Sequence, residues 1–255
     1  EGSLYDWSIP KRNEKIVVVS CFRNVSIDRF LRMWCSLMAQ NTTDFGIILF
    51  DDNSENGLPY FIDSLIKPHL KKVTFIKKRN RSTRIENVYT AIHYYVSNPD
   101  SIIVMLDGDD ALIGNKVLTT IAEKYDAYNA DVAVGRFHQT YRIQPHYRYP
   151  VDFANPRKVG GNVWQHLKTF KKYLFDSIPL PYFKHKEESV RLYKNHWLQT
   201  CDDFAFMVPI IEMAQQPIQF DDINYYYERD YEKRNDNRDI KEQCIAEILT
   251  KSPLC

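Results

Sequence analysis

The chain has 255 residues, enough for one large domain or two small ones. A domain of that size buries roughly 70–75% of the surface its unfolded chain exposes. Hydrophobic residues at 44% and charged residues at 26% are ordinary for a soluble globular protein, and a net charge of +1 gives nothing that argues for bulk nucleic-acid binding.

Ile16-Val17-Val18-Val19 is a short β-branched apolar run and reads as a buried strand, with Ser20 to Asn24 as the loop after it. Ile27, Phe30, Leu31, Trp34, Leu37 and Met38 follow helical spacing, with Ser26 placed to cap that helix. Phe45 to Phe50 is a second strand, ending in Asp51-Asp52-Asn53-Ser54. A helix near residues 59–70 and a strand Val73–Ile76 follow. Ile85, Val88, Ala91, Ile92 and Tyr95 mark another helix. Ile102 to Leu106 is the fourth strand and runs into Asp107-Gly108-Asp109-Asp110. Val117, Leu118, Ile121 and Tyr125 mark a helix, and residues 132–137 a strand.

Strands alternating with helices predict a mostly parallel sheet with helices on both faces, an α/β fold. Right-handed crossovers bring the carboxyl ends of the strands to one edge, where ligands bind in open α/β sheets. Three polar clusters end three strands: Ser20–Asn24, Asp51–Ser54 and Asp107–Asp110. After Gln139 the pattern breaks. A helix is expected near residues 203–214, a strand at 218–220, and a charged loop or helix start at 228–239. A single domain is expected, with a nucleotide-binding half near residues 14–140 and an acceptor-binding half near 141–255.

Asp107, Asp109 and Asp110 directly follow a buried strand. Carboxylates this close repel one another unless a cation or a donor neutralises them. A hard divalent ion with oxygen ligands, Mg²⁺ or Mn²⁺, answers that need. A glycine-rich dinucleotide loop after the first strand is absent, and so is a Walker-type loop. The five cysteines are scattered with no C-x-x-C pair, which argues against a zinc site and fits a reducing, cytoplasmic compartment. The N-x-S/T tripeptides at Asn24, Asn41 and Asn80 are not read as glycosylated. No stretch has the length of a transmembrane helix, and no leader is read. Glu1-Gly2-Ser3 reads as an expression scar, and the chain as a domain of something larger.

In order and spacing, Val17-Val18-Val19-Ser20-Cys21-Phe22-Arg23-Asn24, Ser36-Leu37-Met38-Ala39-Gln40, Asp51-Asp52-Asn53-Ser54, Arg84-Ile85-Glu86-Asn87 and Asp107-Gly108-Asp109-Asp110 resemble glycosyltransferase family 2, of the GT-A fold. The match is good over roughly residues 15–115 and looser over 195–245. The resemblance implies an inverting transfer from a nucleotide sugar, usually a UDP-sugar, to an acceptor hydroxyl on a glycan, lipid or protein. Phe22 would lie against the base and Asp52 would bind it, with Ser20 and Asn24 in the same loop region. Arg84 would approach the base or diphosphate, and Asp107 the ribose. Asp109 would hold the metal, with Asp110 left open as the direct ligand instead. Cys201-Asp202-Asp203-Phe204 resembles the family's E-D motif, which makes Asp203 the general base and puts Asp202 in the glutamate position. A sugar hydroxyl is a poor nucleophile, and a positioned carboxylate can take its proton. A pair of acidic residues at a helix start is the competing reading.

Trp164, His166 and Lys168 are read as core or as a sugar contact. Tyr225-Tyr226-Tyr227-Glu228-Arg229 resembles the family's tyrosine-rich strand before a closing loop, where Arg229, Lys233, Arg234 and Arg238 could meet the diphosphate. No Q-x-x-R-W motif is present, which favours addition of a single hexosyl or N-acetylhexosaminyl unit. A nucleotidyltransferase or an inactive sugar-nucleotide-binding module are the alternatives.

Overall fold

The first apolar run forms β1 (Ile16–Phe22) in the computed structural model, which describes residues 9–140, 146–147, 149–158, 161–186, 196–228 and 238–254. β1 pairs in parallel with β2 (Gly46–Asp51) on one side and β4 (Ile102–Met105) on the other. β2 pairs in parallel with β3 (Val73–Lys77). Every residue of β1, β2 and β4 is buried, because helices cover both faces of this part of the sheet. Successive side chains leave a strand on opposite faces. Val17, Val19 and Cys21 therefore join Ile48, Phe50, Ile103 and Met105 in one core. Ile16, Val18 and Phe22 join Ile47, Leu49, Ile102 and Val104 in the other.

The second core is closed by α1 (Ile27–Met38), α2 (Leu58–Ile66) and α4 (Val117–Tyr128). The first is closed by α3 (Arg84–Tyr95), α5 (Lys172–Asp176) and α6 (Asp202–Met213). α1 buries Phe30, Met33, Trp34 and Leu37, the face its spacing predicts. Ser26 occupies its N-cap position but makes no side-chain capping bond there, contrary to the expectation. Thr83 does cap α3, its hydroxyl accepting the Glu86 N–H.

Beyond β4 the sheet is mixed. Its order is β3-β2-β1-β4-β8-β6-β9-β5, with β7 (His146–Tyr147) beside β6 (Val132–Gln139). β8 (Lys168–Lys171) runs antiparallel between β4 and β6. β9 (Pro217–Tyr227) is parallel to β6 and antiparallel to β5 (Ala111–Leu112). The expected parallel arrangement thus holds for β3-β2-β1-β4. The α/β architecture holds, with helices on both faces of β1, β2 and β4. β9 extends well beyond the three residues expected, and register shifts opposite Val134–Phe137 mark an irregular ladder. Its far end reaches Tyr225 and Tyr226, opposite Leu112 and Ala111 directly after the acidic turn. The charged stretch ends in α7 (Arg238–Thr250). Among the described residues, no helix is long and apolar enough to cross a membrane.

Candidate active site

The polar clusters that end β1 and β2 are tied to each other. The Asp52 N–H donates to the Phe22 carbonyl at 2.9 Å, and the Asn24 N–H to Ser54 Oγ at 2.8 Å. Asn24 Oδ1 accepts the Glu55 N–H at 2.8 Å. Asn24 holds φ of 51° and Asn53 of 57°, left-handed conformations that asparagine tolerates better than most residues. Asp52 is buried, and its Oδ1 accepts the Ser82 N–H at 2.8 Å, which draws in the segment leading to α3.

Two expected contacts lie deeper than the sequence suggested. β1 continues to Phe22, so Ser20 sits within the strand, fully buried, and not in a loop. Ser20 and Cys21 are both small and both buried within the strand. Phe22 packs its ring edge-on to Phe30, with centroids 5.3 Å apart. A Cβ on Gly108 would stand 2.8 Å from Phe22 Cβ. Phe22 therefore supports the acidic turn from below, in the core.

The acidic turn splits three ways. Asp107 is ion-paired with Arg84, the first residue of α3, whose Nε donates to Asp202 Oδ2 at 2.8 Å. Burial alone would raise the Asp107 carboxyl, but the Arg84 guanidinium outweighs it and holds the group well below the usual range. Asp110 is almost fully buried. Its Oδ2 accepts the Tyr225 hydroxyl at 2.5 Å and its Oδ1 the Glu228 N–H at 2.8 Å. Burial, then the charges of Asp107 and Asp109, push Asp110 well above the ordinary carboxyl value. Asp109 points elsewhere, lining a hollow of about 470 Å³ with Arg23, Asn24 and Arg29. Its carbonyl accepts from Arg32 at 2.9 Å, and Arg32 also pairs with Glu228 at 2.7 Å.

His166 completes a group that the sequence did not assemble. Ligand atoms of Asp107, Asp110 and His166 all lie within 4.8 Å of one another, and Asp109 is outside that group. Burial, then the nearby Lys168 charge, lower the His166 pKa well below its ordinary value, so the imidazole is neutral. Two carboxylates and a neutral imidazole suit a divalent cation, since ligation needs an unprotonated ring nitrogen. A buried carboxyl pushed as high as Asp110 is short of positive charge, and the donor set therefore fits the expected Mn²⁺ or Mg²⁺.

Asp203 lies across from this group. Cys201, at φ of 60°, is the N-cap of α6, so Asp202 and Asp203 fall in the first turn without serving as the cap. Their side chains are turned to cations instead. Asp202 meets Arg84, and Asp203 Oδ1 stands 3.0 Å from the ammonium of buried Lys168. Lys168 also donates to the Trp164 carbonyl at 3.1 Å and lies 3.2 Å from His166 Nδ1. Burial raises the Asp203 carboxyl, Lys168 opposes this, and the balance is about 6. A group poised there can accept a proton near neutrality. Trp164 packs against Phe137 and Tyr149 in an aromatic cluster.

A cleft of about 840 Å³ opens beside these residues, lined by Asp52, Ser82, Arg84 and Arg23 on one side and Trp197, Thr200 and Lys241 on the other. Arg229, Lys233 and Arg234 lie outside the described residues, and Arg238 pairs with Glu242 on α7. The structure adds Arg32 to the residues around the acidic turn and gives Lys168 and Tyr225, named in the sequence without these partners, their contacts to Asp203 and Asp110. Trp164, His166 and Lys168 recur at every second position, a strand-like alternation that could have placed all three on one side of the chain.

The fold resembles solved glycosyltransferase structures of the GT-A type. S. aureus TarS 1-349 superposes with a TM-score of 0.67 at 17% identity, over 94% of this chain and 67% of that one. The chain spans only 40% of a longer TarS structure. The mannosyltransferase PcManGT from Pyrobaculum calidifontis, in complex with GDP-Man and Mn²⁺, gives 0.61 at 15% identity over 95% of this chain and 66% of that one. GalNAc-T7 with UDP, GalNAc and Mn²⁺ gives 0.57 at 15% identity over 85% and 44%. No curated protein matches the sequence. The profile of glycosyl transferase family 2 matches residues 16–196, most of the length, and the chain belongs to that family.

Proposed function

We propose that the protein transfers a single sugar from a UDP-sugar to an acceptor hydroxyl with inversion, in a reaction that needs a divalent cation. The observation that carries this reading is Asp203 Oδ1 standing 3.0 Å from Lys168 beside the Asp107–Asp110–His166 group, where burial raises the carboxyl and Lys168 opposes it, to about 6. Support comes from family membership. Solved structures of like fold are complexes with UDP-GlcNAc in one case and with GDP-Man and Mn²⁺ in another.

In this reading Asp52 and Arg84 bind the base side of the nucleotide, Asn24 orders the neighbouring loop, and Asp107 faces the ribose and diphosphate. Asp110, with Asp107 and His166, holds Mn²⁺ or Mg²⁺, which when bound neutralises charge on the departing diphosphate. Asp109, outside that group, is assigned to the donor side of the hollow it lines. Ser20 and Phe22 act from within the core by shaping the loop. Asp203 accepts the proton of the acceptor hydroxyl, whose oxygen attacks the anomeric carbon on the face opposite the diphosphate. Lys168 keeps the carboxyl oriented while it waits. Asp202 holds Arg84 in place. The first half of the chain supplies most nucleotide contacts and the second half the base, though His166 and Tyr225 come from the second half to the cation group.

The test is nucleotide release. The chain is incubated with a panel of UDP- and GDP-sugars and Mn²⁺, and free nucleoside diphosphate is measured. UDP release from one UDP-sugar, abolished by chelation, is the expected result. Release only from GDP-sugars, or undiminished release in EDTA, contradicts the donor or the cation assignment respectively.

A further inference from the structure

The Tyr225 side chain touches all three members of the Asp107–Asp110–His166 group. Its hydroxyl donates to Asp110 Oδ2 at 2.5 Å. The same oxygen accepts the Asp107 N–H at 3.3 Å. Its ring lies flat on the His166 imidazole, with centroids 4.3 Å apart and planes 7° from parallel. The residue is fully buried, so these contacts do not compete with solvent. It is carried by the end of β9, which pairs with β5 immediately after the acidic turn.

Each contact constrains a different freedom. The hydroxyl bond to Oδ2 and the Glu228 N–H on Oδ1 together fix the rotation of the Asp110 carboxylate, and each oxygen keeps a lone pair. The bond from the Asp107 N–H fixes the start of the turn. The stacked ring fixes the plane of the imidazole. Partners that orient ligating groups in this way contribute to metal affinity without touching the ion.

We propose that Tyr225 is a positioning residue for the cation site, holding a carboxylate, the turn and an imidazole in one arrangement. The proposal rests on the cation reading given above. Losing the hydroxyl in Tyr225→Phe keeps the ring stack and removes both polar contacts. Partners of this kind typically cost about 10–100-fold in metal affinity when changed.

The test is calorimetric titration of Mn²⁺ alone into the wild type, Asp110→Asn and Tyr225→Phe, with melting temperatures taken in EDTA. Mn²⁺ affinity is expected to be lost in Asp110→Asn and to fall about 10–100-fold in Tyr225→Phe. If the wild type takes up no Mn²⁺, or Asp110→Asn binds it unchanged, the cation reading fails and this role fails with it. If Asp110→Asn loses Mn²⁺ while Tyr225→Phe binds it like the wild type, only the Tyr225 role fails, whatever its melting temperature. Should Tyr225→Phe not fold, ring-fluorinated tyrosine at position 225 keeps the hydroxyl. Its ¹⁹F signal should move on adding Mg²⁺, and an unmoved signal overturns the proposal.

Discussion

Lys168 and Asp203 come from β8 and from the first turn of α6, and their charged atoms meet at 3.0 Å, with Lys168 2% exposed and Asp203 31%. A lysine this buried is unusual without a partner. Asp203 is that partner, and the pair joins the side of the site that carries His166 to the side that carries the base.

The pair sets the pH response. Activity should rise as pH passes about 6, when Asp203 loses its proton. Lys168→Met removes the positive charge that opposes burial, so the acid limb of the rate profile should move to higher pH. A pH–rate profile of kcat checks this. An unmoved limb would mean that Asp203 does not set it.

Stability should follow the same group. A carboxyl whose folded value of about 6 exceeds its ordinary value binds a proton more tightly in the fold. Its contribution therefore favours the folded state below about pH 4 and is lost as pH rises through 6. The melting temperature of Asp203→Asn, relative to wild type, should be higher at pH 7 than at pH 4. Differential scanning calorimetry at the two values measures it.

The two central aspartates should separate. Asp110→Asn should remove Mn²⁺ binding, because Asp110 belongs to the group within 4.8 Å. Asp109→Asn should keep Mn²⁺ binding and weaken use of the donor. Titration of Mn²⁺ into each variant decides between them.

Gly108 should not tolerate a side chain. Alanine there would place Cβ 2.8 Å from Phe22 Cβ, a rigid neighbour at the end of β1. Gly108→Ala should lower stability by about 1–3 kcal/mol through overpacking. It should also weaken Mn²⁺ binding, as the turn carrying Asp107 and Asp110 is pushed outward. Urea unfolding and Mn²⁺ titration read the two effects.

The first half of the chain was legible because its strands are covered on both faces. Continuous apolar runs such as Ile102–Leu106 announce such strands, and the polar residues that follow mark the edge where a site forms. The second half hid its strands. β8 reads Lys-Thr-Phe-Lys, and its buried first lysine is held by Asp203, His166 and the Trp164 carbonyl, none of which its place in sequence announces. β9 is interrupted by Asp221-Asp222 and looked like a short strand with a separate tyrosine run. His166 alone cannot be told from a core histidine by its neighbours in sequence. Ser20 was misplaced for the opposite reason: a small polar residue looked like a loop but fits inside a strand.

In the proposed reaction everything turns on Asp203 acting as the base of a nucleotide-sugar transferase. The most direct measurement is UDP release by Asp203→Asn from the UDP-sugar that the wild type uses, with UDP and Mn²⁺ binding measured on the same sample. Binding at wild-type strength and turnover lower by about 10²–10⁴-fold are expected. Wild-type turnover in Asp203→Asn would contradict it.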